Sequence, residues 1–581
     1  MSGSAYRFGL FGVWLMTSLI LIIAAYPYIV QWHFPDSDDQ LRLLEVRDWL
    51  AGQSWFDVTQ YRMNPPIGGP MHWSRFIDLP IAAVIALMTP FIGASHSETA
   101  ALIIVPLLTL AVVMALVAKL ARRLLDHNHA LIATLLVPMC VAVTHQLRPM
   151  RIDHHGWQMA LGLVVMCGLL DIRIRRGGIF VGLALALWLS ISLEGLPFAV
   201  MTMALLGLRW AIDRGEGVRL RNVTLTLAVV SPALYGATHH FSRWGLTYCD
   251  AVSPIHLAVF GLAAAGSYAL VRLHPARLVT CLVGLAALAI ACGALLLTAA
   301  PTCAAGPFTK LDPLVHDFWY VRVMEGLPVW DQALGIAATS LALPLLAIGA
   351  AIMMVGRSTR QARNHWAVML FMLVGATITA MLVQRASGVA NLLALPAAAV
   401  IVLRAVKWAR SFNNPLLRVG ATVAAAMLAV PGLVVDRVIF LTTDQQIETA
   451  VRKAVMCTDN QEISLLTSLP PSNLMAPLDT SPSILLETPH KVVASGHHRN
   501  AAAMRDVIET FIGTADQAHA ILKRRNIDYL VVCPGVAETL HYQDVSPRGF
   551  WSQLNAQNIP KWLTPVTIKG ADAIKVWRVN G

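Results

Sequence analysis

The sequence predicts a polytopic α-helical membrane protein of about 13 transmembrane helices (residues 1–440), followed by an α/β domain (residues 441–581). Three observations predict it. Of 581 residues, 56% are apolar and only 13% charged, against about 25% charged in an average globular chain. The apolar residues come in runs long enough to cross a bilayer. Past residue 441 those runs stop, and a polar, mixed-charge sequence with Asp, Asn and Pro punctuation replaces them.

The first run, Phe8 to Val30, is too long for a signal-peptide core and no small-residue cleavage pattern follows it, so it reads as a retained anchor. The net charge of +11 is not spread over a nucleic-acid-binding face. It sits in six short links, at Arg122-Arg123, 173–176, 209–221, 272–277, 357–363 and 404–418. Cytoplasmic links have this character, so the charge sets topology and argues against nucleic acid. Keeping all six on one side gives spans near 9–30, 98–118, 129–147, 157–171, 178–192, 195–210, 222–238, 254–271, 278–300, 331–355, 366–383, 388–403 and 418–440. The apolar stretch 77–93, bracketed by Pro80 and Pro90, is then re-entrant or interfacial, since a crossing there would carry Arg122-Arg123 outside. An odd number of crossings puts the C-terminal domain outside the cytoplasm. Within it, Ala515 to Arg525 reads as a helix capped by Thr514 and ending near Asn526, and Tyr529 to Val532 reads as a strand before a Pro-Gly turn.

Eight cysteines show neither a C-x-x-C pair nor zinc spacing. Cys140, Cys167, Cys281 and Cys292 fall in apolar spans and read as buried hydrophobes. Cys249 with Cys303, and Cys457 with Cys533, fall on the outer side, where either pair is a candidate disulfide.

The outer loops of this topology each carry an ionisable group. The first, residues 32–76, holds Asp36, Asp38 and Asp39, which are costly at a lipid boundary unless a cation or a substrate proton uses them. Others hold Arg151 to Gly156, Glu194, the 301–330 loop ending near Arg322 and Glu325, and Gln384-Arg385. Carboxylates and an imidazole from separate loops suit an oxygen-preferring divalent cation, with Asp36, Asp153, His155 and Glu325 as candidate ligands. Plainer readings stand beside these. Asp36 or Asp38 caps the helix over 40–50, His155 is a satisfied interfacial histidine, and Glu325 pairs with Arg322. Arg385 either snorkels to lipid headgroups or binds an anion such as phosphate.

Taken in order, these motifs resemble the GT-C glycosyltransferases, most of all the oligosaccharyltransferase catalytic subunit, including its single-subunit archaeal form. Asp36 followed by Arg42 is similar to the family's first acidic motif, and Pro70 to Asp78 to its Trp-containing stretch. Asp153-His154-His155 resembles the second acidic motif, which implies Asp153 and His155 as metal ligands. Val323-Met324-Glu325 resembles the end of the fifth outer loop, where a Glu reaches metal and acceptor, and Arg385 stands where the family holds the donor phosphate. The resemblance implies a GT-C fold and a divalent cation, Mn2+ or Mg2+. It implies a polyprenyl-phosphate-linked sugar donor, a protein, lipid or glycan acceptor, and a bacterial plasma-membrane enzyme working at the outer face. Asp36 and Glu325 are then the catalytic carboxylates, with Asp38, Arg42, His154, Glu194 and Asp479 as acceptor-side or accessory candidates. The family's Trp-Trp-Asp acceptor motif is absent, and the nearest counterpart is Leu478-Asp479-Thr480, where Asp479 is a turn former or part of a different acceptor site. Two alternatives remain open: a transferase using a polyprenyl-monophosphate sugar to modify a lipid or polysaccharide, and a flippase of lipid-linked saccharides. A flippase predicts ionisable residues within the spans and paired repeats, whereas the spans here are nearly charge-free and show no convincing internal repeat.

Overall fold

The computed structural model describes residues 3–303, 306, 308, 311–442 and 460–580. Helix α1 (Gly3–Val30) is an unbroken apolar run, and its 28 residues exceed the roughly 20 needed to span hydrocarbon. Trp32 then takes a left-handed conformation (φ 54°) and turns the chain. Asp36 caps α2 (Ser37–Leu50), whose polar sequence keeps it out of the bilayer.

Helix α3 (Arg75–Ile92) is the stretch expected to be re-entrant or interfacial. By length and apolarity alone it qualifies as a span. Yet it folds back on α4 (Ala94–Leu124), with Ile81, Ala82 and Ile85 in one apolar cluster with Ala101, Leu102 and Val105. Ion pairs tie both members of this hairpin to α2: Asp78 to Arg42 at 3.0 Å, and Glu98 to Arg47 at 2.7 Å. The 31 residues of α4 are more than the hydrocarbon thickness requires, and its first turns pack beside α3.

The remaining helices are α5 (His127–Leu135), α6 (Val141–Leu147), α7 (His155–Leu169), α8 (Ile174–Ile191), α9 (Leu196–Ile212), α10 (Gly217–Thr238), α11 (Pro254–Leu273), α12 (Leu278–Ala299), the short α13 (Pro313–Phe318), α14 (Leu334–Arg357), α15 (Arg360–Leu382), α16 (Ser387–Ala409), α17 (Pro415–Met427) and α18 (Pro431–Thr442). Each of the 13 expected spans is helical, but ten described helices are long and apolar enough to cross, or 12 if two bent pairs count as one span each. The differences have local causes. Span 129–147 is α5 and α6, bent by 70° around Pro138. Span 418–440 is α17 and α18, bent by 97° before Pro431. Helix α7 has only 15 residues, and α10 opens with Arg219 and Arg221 and carries several hydroxyls. Helix α16 is the centre of the bundle, buried along nearly its whole first half.

The bundle has two unlike ends. At one, the basic links meet, with Arg123 bound to Asp171 (3.1 Å) and Arg209 and Arg219 both bound to Glu216 (2.5 and 2.8 Å). At the other lie the first loop and the sheet-bearing domain. Its five-stranded sheet runs β2-β1-β3-β5-β4, from β1 (Asn473–Met475), β2 (Lys491–Val492), β3 (Tyr529–Val532), β4 (Leu563–Val566) and β5 (Lys575–Val579). The first three strands are parallel and the last two antiparallel. Thr514 caps the helix Ala515–Arg524 in a capping box, Asn526 takes φ 51°, and Tyr529–Val532 follows, as the sequence predicts.

The first loop completes this sheet at its edge. Met63 pairs in parallel with Val492, Val492 N donates to Arg62 O (2.9 Å) and Asn64 N to Val492 O (2.8 Å), so the β2 edge is not left open. Arg62 and Arg47 donate to the last carbonyls of the helix Ser481–Glu487, at Leu485 (2.5 Å) and Leu486 (2.6 Å). Cations are favoured at such a C-terminus. Of the two candidate disulfides, Cys249–Cys303 forms; Cys457 lies outside the described residues.

Candidate functional site

The site is assembled by Asp39 and Arg151. Asp39 is fully buried in the first turn of α2 and accepts from Ile152 N (2.8 Å), Asp153 N (3.0 Å) and Arg151 Nη1 (3.0 Å). One carboxylate thus fixes the backbone of the link that leads into α7. Arg151, 1% exposed, reaches Asp36 at 2.8 Å, Asp153 at 3.6 Å and Glu325 at 4.0 Å. Four carboxylates from three loops therefore surround one guanidinium, which offsets the desolvation that would otherwise keep them apart.

Asp153 accepts from the His154 backbone N (2.5 Å) and from the Nδ1 atoms of His154 and His155. This fixes both rings, stacked with centroids 4.4 Å apart. Their Nε2 atoms then point the same way, 3.8 and 3.9 Å from Glu194 Oε2. Glu194 also accepts from Gln158 Nε2 (2.9 Å) and pairs with Arg385 (2.9 Å), and Arg385 lies 3.5 Å from Glu325. Burial opposes ionisation of Asp36, but the charge and hydrogen bond of Arg151 hold its carboxyl below the usual range. Burial likewise opposes ionisation of Glu194, and Arg385 with the two histidines holds it well below. Asp38 goes the other way: burial and the charges of Asp36 and Asp153 push it well up.

Two features invite ligands. His155 Nε2 is buried without a hydrogen-bond partner among the described residues, and donor atoms of Asp153, His154 and His155 lie within 4.8 Å of one another. Such a mixed oxygen and nitrogen set fits a divalent cation. Arg385 Nε is likewise buried and has no hydrogen-bond partner among the described residues. Directly below, an apolar groove of about 940 Å³ runs between α9 and α15, lined by Leu196, Val200, Met201, Leu370, Phe371 and Val374. Helix α9 begins just after Glu194 and α15 ends just before Arg385, so the two helices that wall the groove lead in sequence to these two residues.

No family model matches the chain, and no curated protein sequence does. Among solved structures it is similar to the archaeal oligosaccharyltransferase AglB from Archaeoglobus fulgidus in complex with an inhibitory peptide and a dolichol-phosphate. The TM-score is 0.66 at 15% identity, over 96% of this chain and 73% of that one. The chain has the GT-C fold of the oligosaccharyltransferases. It is also similar to the Archaeoglobus fulgidus enzyme tethered with an acceptor peptide containing the NVT sequon, with TM-score 0.63 at 14% identity over 98% of this chain and 74% of that one. A third similar structure is the same enzyme in complex with Zn and sulfate, with TM-score 0.60 at 13% identity over 90% of this chain and 67% of that one.

Within this GT-C fold, Asp36, Asp38, Asp153, His154, His155, Glu194, Glu325 and Arg385 gather in one cluster. Asp36 also caps α2, accepting from Asp38 N at 3.1 Å, so capping and site membership coexist. Glu325 does not pair with Arg322, which reaches His541 instead. Arg42 lies elsewhere: 1% exposed, it binds Asp78 and stacks 4.7 Å over Trp73. Removing one partner of such a buried pair costs about 3–5 kcal/mol, so its role here is to hold α2 on α3. Asp479 sits in the turn 477–481, where Thr480 N donates to Pro477 O. It also faces the cluster: burial and the nearby Asp36 charge raise its carboxyl. Its backbone N and that of Leu478 donate to Glu538 (both 2.8 Å).

Sequence reading gave no role to Arg151 or Gln158, and named Asp39 only as one of three carboxylates in the first loop. A usable signal existed for Arg151, since an arginine in an outer link runs against the charge rule that orders the other links. Gln158 stands one helical turn after His154 on α7, anchored by Trp188 Nε1 (3.0 Å).

Proposed function

We propose that this multi-pass membrane protein is a metal-dependent, inverting glycosyltransferase. It transfers a sugar or oligosaccharide from a polyprenyl-phosphate-linked donor to an acceptor at the outer face. One observation carries the reading: an apolar groove walled by the two helices that lead to Glu194 and Arg385, with Arg385 Nε unpartnered among the described residues beside a buried carboxylate and imidazole cluster. A prenyl chain suits the groove by burying apolar surface, and a phosphate suits the planar guanidinium of Arg385. The dolichol-phosphate in the AglB structure supports this donor class.

Asp36, Asp153, His155 and Glu325 would hold the cation, Mn2+ or Mg2+. When bound, such a cation neutralises charge developing on the departing phosphate. Arg385 donates to the same oxygens from the groove side. The acceptor attacks the anomeric carbon from the face opposite the phosphate, the carbon–oxygen bond to phosphate breaks, and Asp36 takes the acceptor's proton. Glu325 orients the acceptor. The Cys249–Cys303 disulfide, near the cluster end, supports an oxidising compartment for this face.

A second reading, in which a polyprenyl-monophosphate donor modifies a lipid or polysaccharide, is favoured by the acceptor side. There the Trp-Trp-Asp triplet is missing, and Asp479 faces the cluster instead, its backbone N held by Glu538. The test common to both is transfer by Asp36→Asn and Asp153→Asn. Each is expected to lower turnover by about 100-fold or more while expression stays near wild type, since the second shell alone accounts for about 10–100-fold. In a deletion strain the lipid extract accumulates the lipid-linked saccharide. Undiminished transfer in both variants, or in excess EDTA, overturns the metal-dependent mechanism.

A further inference from the structure

Away from the catalytic cluster, His72 of the first loop meets His497 and His498 of the sheet-bearing domain. His72 Nδ1 lies 2.9 Å from His497 Nε2. Ring centroids are 5.0 Å from His72 to each of the other two and 5.2 Å between His497 and His498. Ring packing alone leaves one fact unexplained: His497 is 4% exposed, and its Nδ1 is buried with no hydrogen-bond partner among the described residues.

His498 is held differently. Its Nε2 lies 2.7 Å from Asp250, and that carboxylate is itself clasped by Arg499 through Nε (2.7 Å) and Nη2 (2.8 Å). A carboxylate behind a histidine is the arrangement that fixes ring orientation in metal sites, and it leaves His498 Nδ1 as the nitrogen to face inward. One nitrogen from each histidine lies within 4.8 Å of the others. Ligands on tetrahedral zinc at about 2.0–2.1 Å are roughly 3.3 Å apart, so small ring rotations close the site.

We propose that His72, His497 and His498 form a second metal site, which takes Zn2+ and ties the sheet-bearing domain to the first loop. Three nitrogen donors and no oxygen donor select zinc or a similar imidazole-binding cation over Mg2+ or Mn2+. The site joins three segments that are distant in sequence. Asp250 follows Cys249 of the disulfide, His72 precedes Trp73, which lies under Arg42, and His498 and Arg499 lead into the helix Ala501–Ile512. A cation here fixes the domain against the loop that carries α2, independently of the catalytic cation.

The test uses the full-length protein in detergent, loaded with Zn2+ and then freed of excess. The His72→Ala/His497→Ala variant is expected to hold one zinc fewer per chain than wild type. The Asp153→Asn/His155→Ala variant is expected to keep that zinc. Loading the latter with Co2+ is expected to give ligand-field absorption bands of a low-coordinate, nitrogen-ligated ion, which Zn2+ abolishes. Equal zinc in wild type and the double-histidine variant overturns the proposal. If that variant does not fold, the cobalt spectrum decides, and absence of the bands overturns it.

Discussion

Arg385 stands between the apolar helix α15, which ends just before it, and the carboxylates of the cluster. It pairs with Glu194 at 2.9 Å and lies 3.5 Å from Glu325, while its Nε is buried with no hydrogen-bond partner among the described residues. A headgroup anchor would need only a charge, and lysine would serve as well. A phosphate clamp uses the planar fork. Charge-assisted hydrogen bonds of about 1.5–3 kcal/mol then predict that Arg385→Ala weakens donor affinity by about 10- to 100-fold and Arg385→Lys by less. Donor titration of the purified variants measures it, and an unchanged affinity for Arg385→Ala removes this residue from the donor site. Arg385, Asp36 and Asp153 could be read from the chain because an ionisable group is conspicuous among apolar spans. Asp39 and Arg151 could not be assigned in the same way. Their roles lie in each other, across 112 residues of sequence, and no local pattern announces a contact of that span.

At the scale of elements, hydropathy marked the apolar helices of the bundle but not how each ends. The break at Pro138, the bend before Pro431 and the return of α3 along α4 follow from turn chemistry and tertiary ties rather than from apolar length. The pairing of Met63 with Val492 was equally hidden, since a single-residue edge contact has no period to detect. The groove between α9 and α15 is an element-level feature with its own test. Val374→Trp adds bulk to its wall and is expected to raise the apparent donor KM about tenfold with little change in saturated turnover, because it removes binding that ground and transition states share. A fall in saturated turnover alone would place the groove outside donor binding. The turn 477–481 makes a pH prediction. Burial and then Asp479 push the Glu538 carboxyl from 4.5 up to about 8, against the pull of two backbone donors and Tyr542. An acid raised on folding contributes stability that is complete below its unfolded value and is lost as pH rises through the folded one. Thermal melts of the protein should therefore fall between about pH 4.5 and 8, and Glu538→Gln should flatten that fall. A Glu538→Gln slope equal to wild type removes Glu538 as its source.

The whole molecule is organised by two unlike ends, and its sidedness follows from them. Arg123, Arg209 and Arg219 meet Asp171 and Glu216 at one end of the bundle, where basic links mark the cytoplasm. The carboxylate and imidazole cluster, the Cys249–Cys303 disulfide and the sheet-bearing domain share the other. Parity matters here, because α3 is apolar enough to be counted as a crossing, and counting it would reverse every later loop. Its ties to α2 through Asp78, and through Glu98 of the helix it packs on, hold it at the end of the bundle that carries the first loop. Reporter fusions after Arg176 and Arg363 are therefore expected to be active only as cytoplasmic reporters, and fusions after Asp331 and Asn580 only as external ones. The Asp331 fusion is the decisive one, since it follows Glu325 by one short turn. A cytoplasmic signal there would put the Glu325 loop across the membrane from the oxidising compartment that the disulfide needs. It would also move the catalytic face from the outer leaflet to the inner one, and with it the side on which donor and acceptor must be supplied.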